Sequence, residues 1–413
     1  MIAFHYPPYQ GGSGVHRTLK FSRYLFEHGW QPIVLSANPR AYLNVGKEQL
    51  EKIPADVIVE RAFALDTARH LSVRGRYWRL MALPDQWVSW WTGALWSGLR
   101  LIRRYKPEVL WSTYPIATAH LIGFTLHRLT GIPWIADFRD SMTEDNYPRD
   151  IWSRRTYRWI ERGVVKYSFR LVFTSKSTRR MYLERYPALA PERALLVPNG
   201  YDEDDFKDIV LSGTSLDLNA RPIRLLHAGV IYTDDRDPSA FFTALSRLKS
   251  EGKINSMLVN IDLMASGSER YYAEMIKQLG VDDIVRLLPA LSHQKALQEC
   301  ADADALLLFQ AASCNHQIPA KVYEYLRLQK PIFALTPHEG DTAALLDEVG
   351  GATVVDLADV AALVSVIPEF INRVRNGRHQ LCSSEVVQRY ARSRQACDLA
   401  RTLNELPYNS QST

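Results

Sequence analysis

The chain has 413 residues, 46 % of them hydrophobic and 23 % charged, a balance that excludes disorder and membrane spanning and suits two cores of about 200 residues each. Its net charge of +5 hides a basic half and an acidic one: residues 1–200 hold 29 Lys+Arg against 16 Asp+Glu, and residues 201–413 hold 21 against 29. The basic half suits a phosphorylated substrate or an anionic membrane; nucleic acid is set aside, because no helix-turn-helix, zinc-finger or RNA-binding pattern accompanies the charge.

In chain order, the apolar Ile2 to Phe4 reads as a very short first strand, which leaves room for an encoded start a few residues upstream. The stretch PPYQGGSGVHR follows, Pro7 to Arg17. Gly11, Gly12 and Gly14 remove side chains where backbone must come close to something, and a helix over 17–29 then places Arg17 and Lys20 one turn apart. That is either an anion site or a simple turn. The runs QPIVLSA, EVLWSTY, PWIADF and RLVFTS alternate with helical stretches, which predicts a parallel sheet covered on both faces.

Between Arg69 and Lys106 lie eight basic residues and a single acid, Asp85, interleaved with Trp78, Trp87, Trp90, Trp91 and Trp96. Such a tract suits a membrane interface; the alternatives are tryptophans packing the core or stacking on an oligosaccharide. The stretch WSRRTYRWIERGVVKYSFR extends the basic face. The run ADFRD then sets Asp137, Arg139 and Asp140 at a strand's carboxyl end, where catalytic groups of open α/β sheets lie. Arginine cannot act as a base at neutral pH, so Arg139 is assigned to a phosphate or a sugar hydroxyl, and Asp140 to orienting or deprotonating an acceptor hydroxyl. The competing assignment is a structural ion network of all three.

The alternation pauses at LLVPNGYDEDDF, which places the boundary of the first domain at residues 1–205. It restarts with IRLLHAG and continues through LVNIDLMAS, IVRLLP, ALLLF and PIFAL, with helices over 269–279, 292–300 and 320–328. Residues 206–383 are thus a second doubly wound domain, and two such domains predict a cleft between the carboxyl ends of their strands. A last helix, within 384–413, is expected to pack back toward the first domain. Lys321 starts the helix AKVYEYL, where N–H groups and the helix dipole favour an anion; Arg236 lies in the first loop of the second domain. Together they read as an anion clamp, with the Glu324 carboxylate one turn below Lys321 on the same helix face, placed to accept hydrogen bonds. An ordinary Lys321–Glu324 surface pair, and an Arg236 that merely neutralises Asp234, Asp235 and Asp237, are the alternatives. Asp302-Ala303-Asp304 has the look of a metal-binding pair of acids but falls at a helix-to-strand junction, so no metal is expected. Cys300, Cys314, Cys382 and Cys397 have no metal spacing and read as reduced thiols.

Five segments in this order, PPYQGGSGVHRTLKFSRYLFEHGW, IPWIADFRD, VPNGYD, the LLHAG loop ending in Arg236, and IPAKVYEYLRLQKPIFAL, resemble the GT-B nucleotide-sugar glycosyltransferases of family 4, which assemble bacterial capsule, O-antigen and exopolysaccharide. The resemblance implies two facing Rossmann-like domains, a nucleoside diphosphate sugar as co-substrate and no cofactor. It implies retention of anomeric configuration, a glycan or polyprenyl-diphosphate-linked acceptor, and a cytoplasmic enzyme lying on the inner face of the cell membrane through its basic, tryptophan-rich first domain. The Gly12–Gly14 turn would then close over the donor diphosphate or the acceptor. The matching glutamate of the family accepts from ribose hydroxyls, a role that falls to Glu324 here, with Lys321 and Arg236 on the diphosphate. Three positions depart from the family pattern. Arg139 stands at about the position where many members have a histidine. A glutamate eight residues before Glu324 is replaced by His316, which leaves His316 as a donor-sugar candidate, and the arginine after the loop glycine is Val230. An epimerase of the same architecture and a non-catalytic nucleotide- or glycan-binding protein are the competing classes. A dinucleotide oxidoreductase fails, because the third fingerprint glycine is Arg17 and the strand QPIVLSANP ends without an acid.

Overall fold

The structure is a computed structural model and describes residues 1–11, 14–145, 147–211, 218, 220–233 and 236–406. It divides into two units, Met1–Pro198 with Arg392–Thr413, and Asn199–Ala391.

The first unit runs α1 (Gly14–Tyr24), β1 (Ile33–Ala37), β2 (Ile58–Ala62), α2 (Thr67–His70), α3 (Ser89–Tyr105), β3 (Leu110–Thr113), α4 (Ala117–Thr130), β4 (Trp134–Asp137), α5 (Ile151–Tyr167), β5 (Arg170–Phe173), α6 (Lys176–Arg185) and β6 (Ala194–Leu196). Every strand pair is parallel, β1 with β2 and β3-β4-β5-β6 in order, with Leu110 opposite Trp134 and Leu171 opposite Ala194. Ile2 joins the two sets: it bridges Leu35 on one side and Ser112 on the other. The expected first strand is therefore a single bridge position at the crossing point of the sheet. All residues of β3 and β4 are buried, as required of parallel strands covered on both faces. The helix after the glycine turn starts at Gly14, earlier than the sequence suggested.

The second unit runs β7 (Ile223–Ala228), α7 (Ser239–Ser250), β8 (Val259–Met264), α8 (Glu269–Gln278), β9 (Val285–Leu288), α9 (His293–Asp302), β10 (Ala305–Phe309), α10 (Lys321–Leu328), β11 (Ile332–Leu335), α11 (Asp341–Val349), β12 (Ala352–Val355), α12 (Val360–Arg375) and α13 (Ser384–Gln388). Its sheet is six parallel strands in the order β12-β11-β10-β7-β8-β9. Strand order reverses between β7 and β10, so a ligand crevice is expected beyond their carboxyl ends. Asp304, at the entry to β10, takes two bonds from Arg221, both 2.7 Å, and the N–H of Arg224, so the acidic junction is closed by arginine.

The division falls earlier than the acidic tract suggested, because Tyr201 and Phe206 bury into the second unit's core beside Val322, Tyr323 and Leu326. The last helical stretch is also broken. Tyr201 N–H donates to Tyr390 O where α13 has ended, and α14 (Arg392–Asn404) then joins the first unit. There Ala396, Leu399, Ala400 and Leu403 pack with Phe21, Trp111, Ile135 and Val172.

Candidate active site

In the first unit the strand-end residues are drawn inward. Arg17 is fully buried; its Nε donates to Asp137 Oδ2 at 2.9 Å and its Nη2 to Asp137 Oδ1 at 3.0 Å, a fork-to-fork pair. Its remaining donors reach Pro198 O and Val197 O, both 3.0 Å, and Thr113 Oγ1 donates to Asp137 at 2.9 Å. Arg17 is thus no phosphate ligand and Asp137 no catalytic acid or base: each is the other's buried counter-charge, and together they tie α1 to β4 and the chain after β6. Lys20, on the same helix, is also buried rather than presented to an acceptor.

Arg139 stands at φ 58°, which turns the chain sharply after β4, and its Nη1 donates to Gly14 O at 2.9 Å. Burial lowers its pKa from the ordinary arginine value. A Cβ on Gly14 would lie 3.0 Å from His5 Nδ1, so the bare backbone is explained by His5. Burial and then the charge of Arg139 push the His5 imidazole down to about 3, so it is neutral at physiological pH. Arg139 therefore anchors the glycine turn to the strand end. Asp140 is half-buried beyond it. Gly12 lies outside the described residues.

The second unit arranges its strand ends differently. Lys321, the first residue of α10, reaches back across the end of β7 and places Nζ 3.2 Å from His227 Nε2. His227 is fully buried and its Nδ1 lies 2.8 Å from Leu307 O. Its Nε2 also lies 3.1 Å from Gly229 O, so the ring is held between two backbone carbonyls and the lysine. Burial first, then the nearby Lys321, keep the imidazole well below its usual range. Gly229, at φ +116°, makes room: a Cβ there would lie 2.9 Å from Lys321 Nζ. Arg236 closes the same loop, its guanidinium 5.3 Å over the Tyr232 ring and its buried Nε without a partner among the described residues, outside which Asp234 and Asp235 lie. Burial and then the Arg236 charge bring Lys321 down from 10.5 to about 7.

One turn below, Glu324 Oε1 lies 3.0 Å from His293 Nε2 at the start of α9. The surface pair between Lys321 and Glu324 is not what the side chains make; each has its own imidazole. Beyond β8, β10 and β11, buried oxygens of Ser266, Gln310 and Thr336 lack partners among the described residues, as does Asn315 Oδ1 beside His316. His316 sits in the same loop, half-buried next to Gln317. His227, His293 and these four polar residues were missed by sequence reasoning. The available signal was positional: Gln310 and Thr336 follow directly on apolar strands of a doubly wound sheet, and Ser266 comes two residues after the end of β8. Among the described residues no group of three His, Cys, Asp or Glu could hold a metal ion.

The second unit therefore offers two cations, one helix N-terminus and unpartnered polar atoms at the switch point of its sheet, an arrangement fit for a diphosphate. Residues 11–200 of the chain match the glycosyl transferase 4-like domain family. The fold is the GT-B one, with two Rossmann-like units. This fold is shared over 98 % of the chain's length with the sucrose-phosphate synthase of Thermosynechococcus elongatus, 97 % of that chain being covered, at TM-score 0.67 and 14 % identity. It is similar to Anabaena Alr3699/HepE in complex with UDP-glucose, at TM-score 0.63 and 13 % identity over 98 % of this chain and 99 % of that one. A third likeness is to the lipopolysaccharide outer core galactosyltransferase WaaB, at TM-score 0.61 and 13 % identity, with the same coverage. Comparison of the sequence with curated proteins gives no match.

Proposed function

We propose that this protein is a glycosyltransferase, and that it moves a sugar, with retention, from a nucleoside diphosphate sugar to a glycan or polyprenyl-diphosphate-linked acceptor in the assembly of a surface polysaccharide. The observation that carries the donor assignment is the placement of Lys321 and Arg236 around Gly229, where the missing side chain admits the ammonium. Negative charge grows on the diphosphate as the glycosidic bond breaks, and cations already fixed in place stabilise it without reorganising. A bound diphosphate also restores the charge that burial and Arg236 discourage on Lys321, so the lysine is a full cation in the complex. His227 holds that ammonium by a single hydrogen bond and takes no part in proton transfer. Glu324 binds the ribose hydroxyls, exchanging His293 for them, and His316 with Asn315 faces the donor sugar. Asp140 is assigned to the acceptor hydroxyl. HepE is in complex with UDP-glucose and WaaB is a lipopolysaccharide outer core galactosyltransferase, which supports a nucleotide-sugar donor and a surface-glycan product. The enzyme would work at the inner face of the cell membrane, where a lipid-linked acceptor is held.

Nucleotide release against a panel of nucleotide sugars tests the reading. One sugar is expected to be turned over, with Glu324→Ala weakening its binding about tenfold or more, the worth of a hydrogen bond to a charged group. Because Lys321 and Arg236 supply the positive charge a metal would otherwise bring, turnover is expected to be unchanged in excess EDTA. A chain that neither binds nor releases any nucleotide would sink the proposal.

A further inference from the structure

The first unit carries an apolar and basic projection that its own fold leaves unused. Residues 73–80, VRGRYWRL, are all exposed, with Val73 at 75 %, Trp78 at 81 % and Leu80 at 80 %. The projection is a tight hairpin: Val73 N–H donates to Arg76 O at 2.8 Å and Arg76 N–H to Val73 O at 3.0 Å. Arg74 and Gly75 at its tip stand at φ 52° and 75°, the left-handed pair of a type I′ turn. Its base is tied down, because Arg79 Nη2 pairs with Asp150 Oδ1 at 2.6 Å. Asp150 is the N-cap of α5, so the pair brings the hairpin beside Tyr147, Ile151 and Trp152, which are exposed as well. Along α5, Trp152, Arg155 and Trp159 share one exposed face, with Arg155 5.4 Å over the Trp152 ring. The tryptophan-rich helix itself is not this surface: Trp90 is fully buried and Trp87 and Trp91 pack against the core. The acid of that tract is occupied too, since Asp85 accepts from Thr118 N–H and Oγ1 at the start of α4.

We infer that this hairpin and the start of α5 form the surface that seats the enzyme on an anionic lipid bilayer, Trp78, Leu80 and Trp152 entering the headgroup region while Arg74, Arg76 and Arg155 meet lipid phosphates. The inference deepens the proposal of a lipid-linked acceptor and rests on it. Exposed apolar side chains so close in sequence are not the scattered kind that any surface shows. Arginines between them, with no acid among residues 67–84, match the charge of anionic headgroups, and tryptophan with arginine is the composition that settles at a headgroup boundary.

Co-sedimentation of the full chain with phosphatidylcholine vesicles, with and without phosphatidylglycerol, tests the surface. The wild type is expected to bind only the anionic vesicles. The Trp78→Ser/Leu80→Ser variant should lower the partition coefficient about tenfold, and Arg74→Glu/Arg76→Glu should lower it about fivefold per arginine. Trp96→Ser, exposed on α3 outside the hairpin and α5, should leave it unchanged. All four proteins should bind the donor nucleotide alike, so loss of nucleotide binding by the wild type would count against the donor reading and not against this surface. Hairpin variants that sediment like the wild type overturn the inference. So does a wild type indifferent to anionic lipid, or one whose hairpin variants change only its oligomeric state in light scattering, which would make a second copy the occupant.

Discussion

At the strand ends of the first unit, Arg17 has its donors on Asp137 and two backbone carbonyls, every contact near 3 Å and both side chains shut from water. At the strand ends of the second, Lys321 rests on one neutral imidazole, and among the described residues Arg236 Nε and four buried oxygens nearby find no partner. Both are cations at the carboxyl edge of a parallel sheet. The difference is that one set is neutralised by the fold and holds elements together, while the other makes no ion pair with a carboxylate among the described residues, where an anion would favour the charged form of Lys321.

The comparison breaks most visibly at Asp137. Asp137→Asn leaves the buried Arg17 charge without its counter-ion, and a loss of about 3–5 kcal/mol is expected, read as a lower midpoint in thermal unfolding. Turnover lost with the midpoint unchanged would instead restore a chemical role to Asp137. Lys321→Ala should do the reverse: turnover falls about 10²- to 10³-fold, the effect of removing one preorganised charge at a leaving group, with little change in unfolding. Gly229→Ala is expected to weaken donor binding about tenfold in calorimetry, since the residue must hold a left-handed φ and its methyl meets the lysine at 2.9 Å. The smallest effect is on pH. With Lys321 near 7 in the unliganded enzyme, its charged form is disfavoured by the fold. Unliganded stability should therefore rise with pH between about 7 and the ordinary 10.5, where the unfolded chain holds the proton and the folded one does not. Donor binding takes that proton up, so affinity should fall at most about tenfold per pH unit above 7 and flatten in Lys321→Arg.

The second unit's cluster was legible in part because Lys321 and Glu324 are three apart on one short helix and Arg236 lies in a loop that the strand pattern locates. Their partners were not legible. His227 meets Lys321 across 94 residues and His293 meets Glu324 across 31, and no local pattern announces either. The first unit misled for the same reason. Arg17 and Lys20 look like an exposed anion site from spacing alone, yet Arg17 finds its carboxylate 120 residues away. Periodicity gives a residue its face on an element, whereas pairing depends on which element the topology sets against that face. The tryptophans of α3 show the same limit: Trp90 and Trp96 differ by six positions, and only packing decides that one is core and the other surface.

The path of the chain also sets the order in which the first unit can be completed. Its layer formed by Phe21, Trp111, Ile135 and Val172 is closed by Leu399, Ala400 and Leu403, which are made only after the whole second unit. During synthesis that apolar layer stands open while residues 199–391 are added, an interval on the order of ten seconds or more at ordinary translation rates. The second unit has no such debt and can fold as soon as it leaves the ribosome. In the cell, exposure to chaperones and to aggregation is thus concentrated in the half of the protein that is made first and finished last.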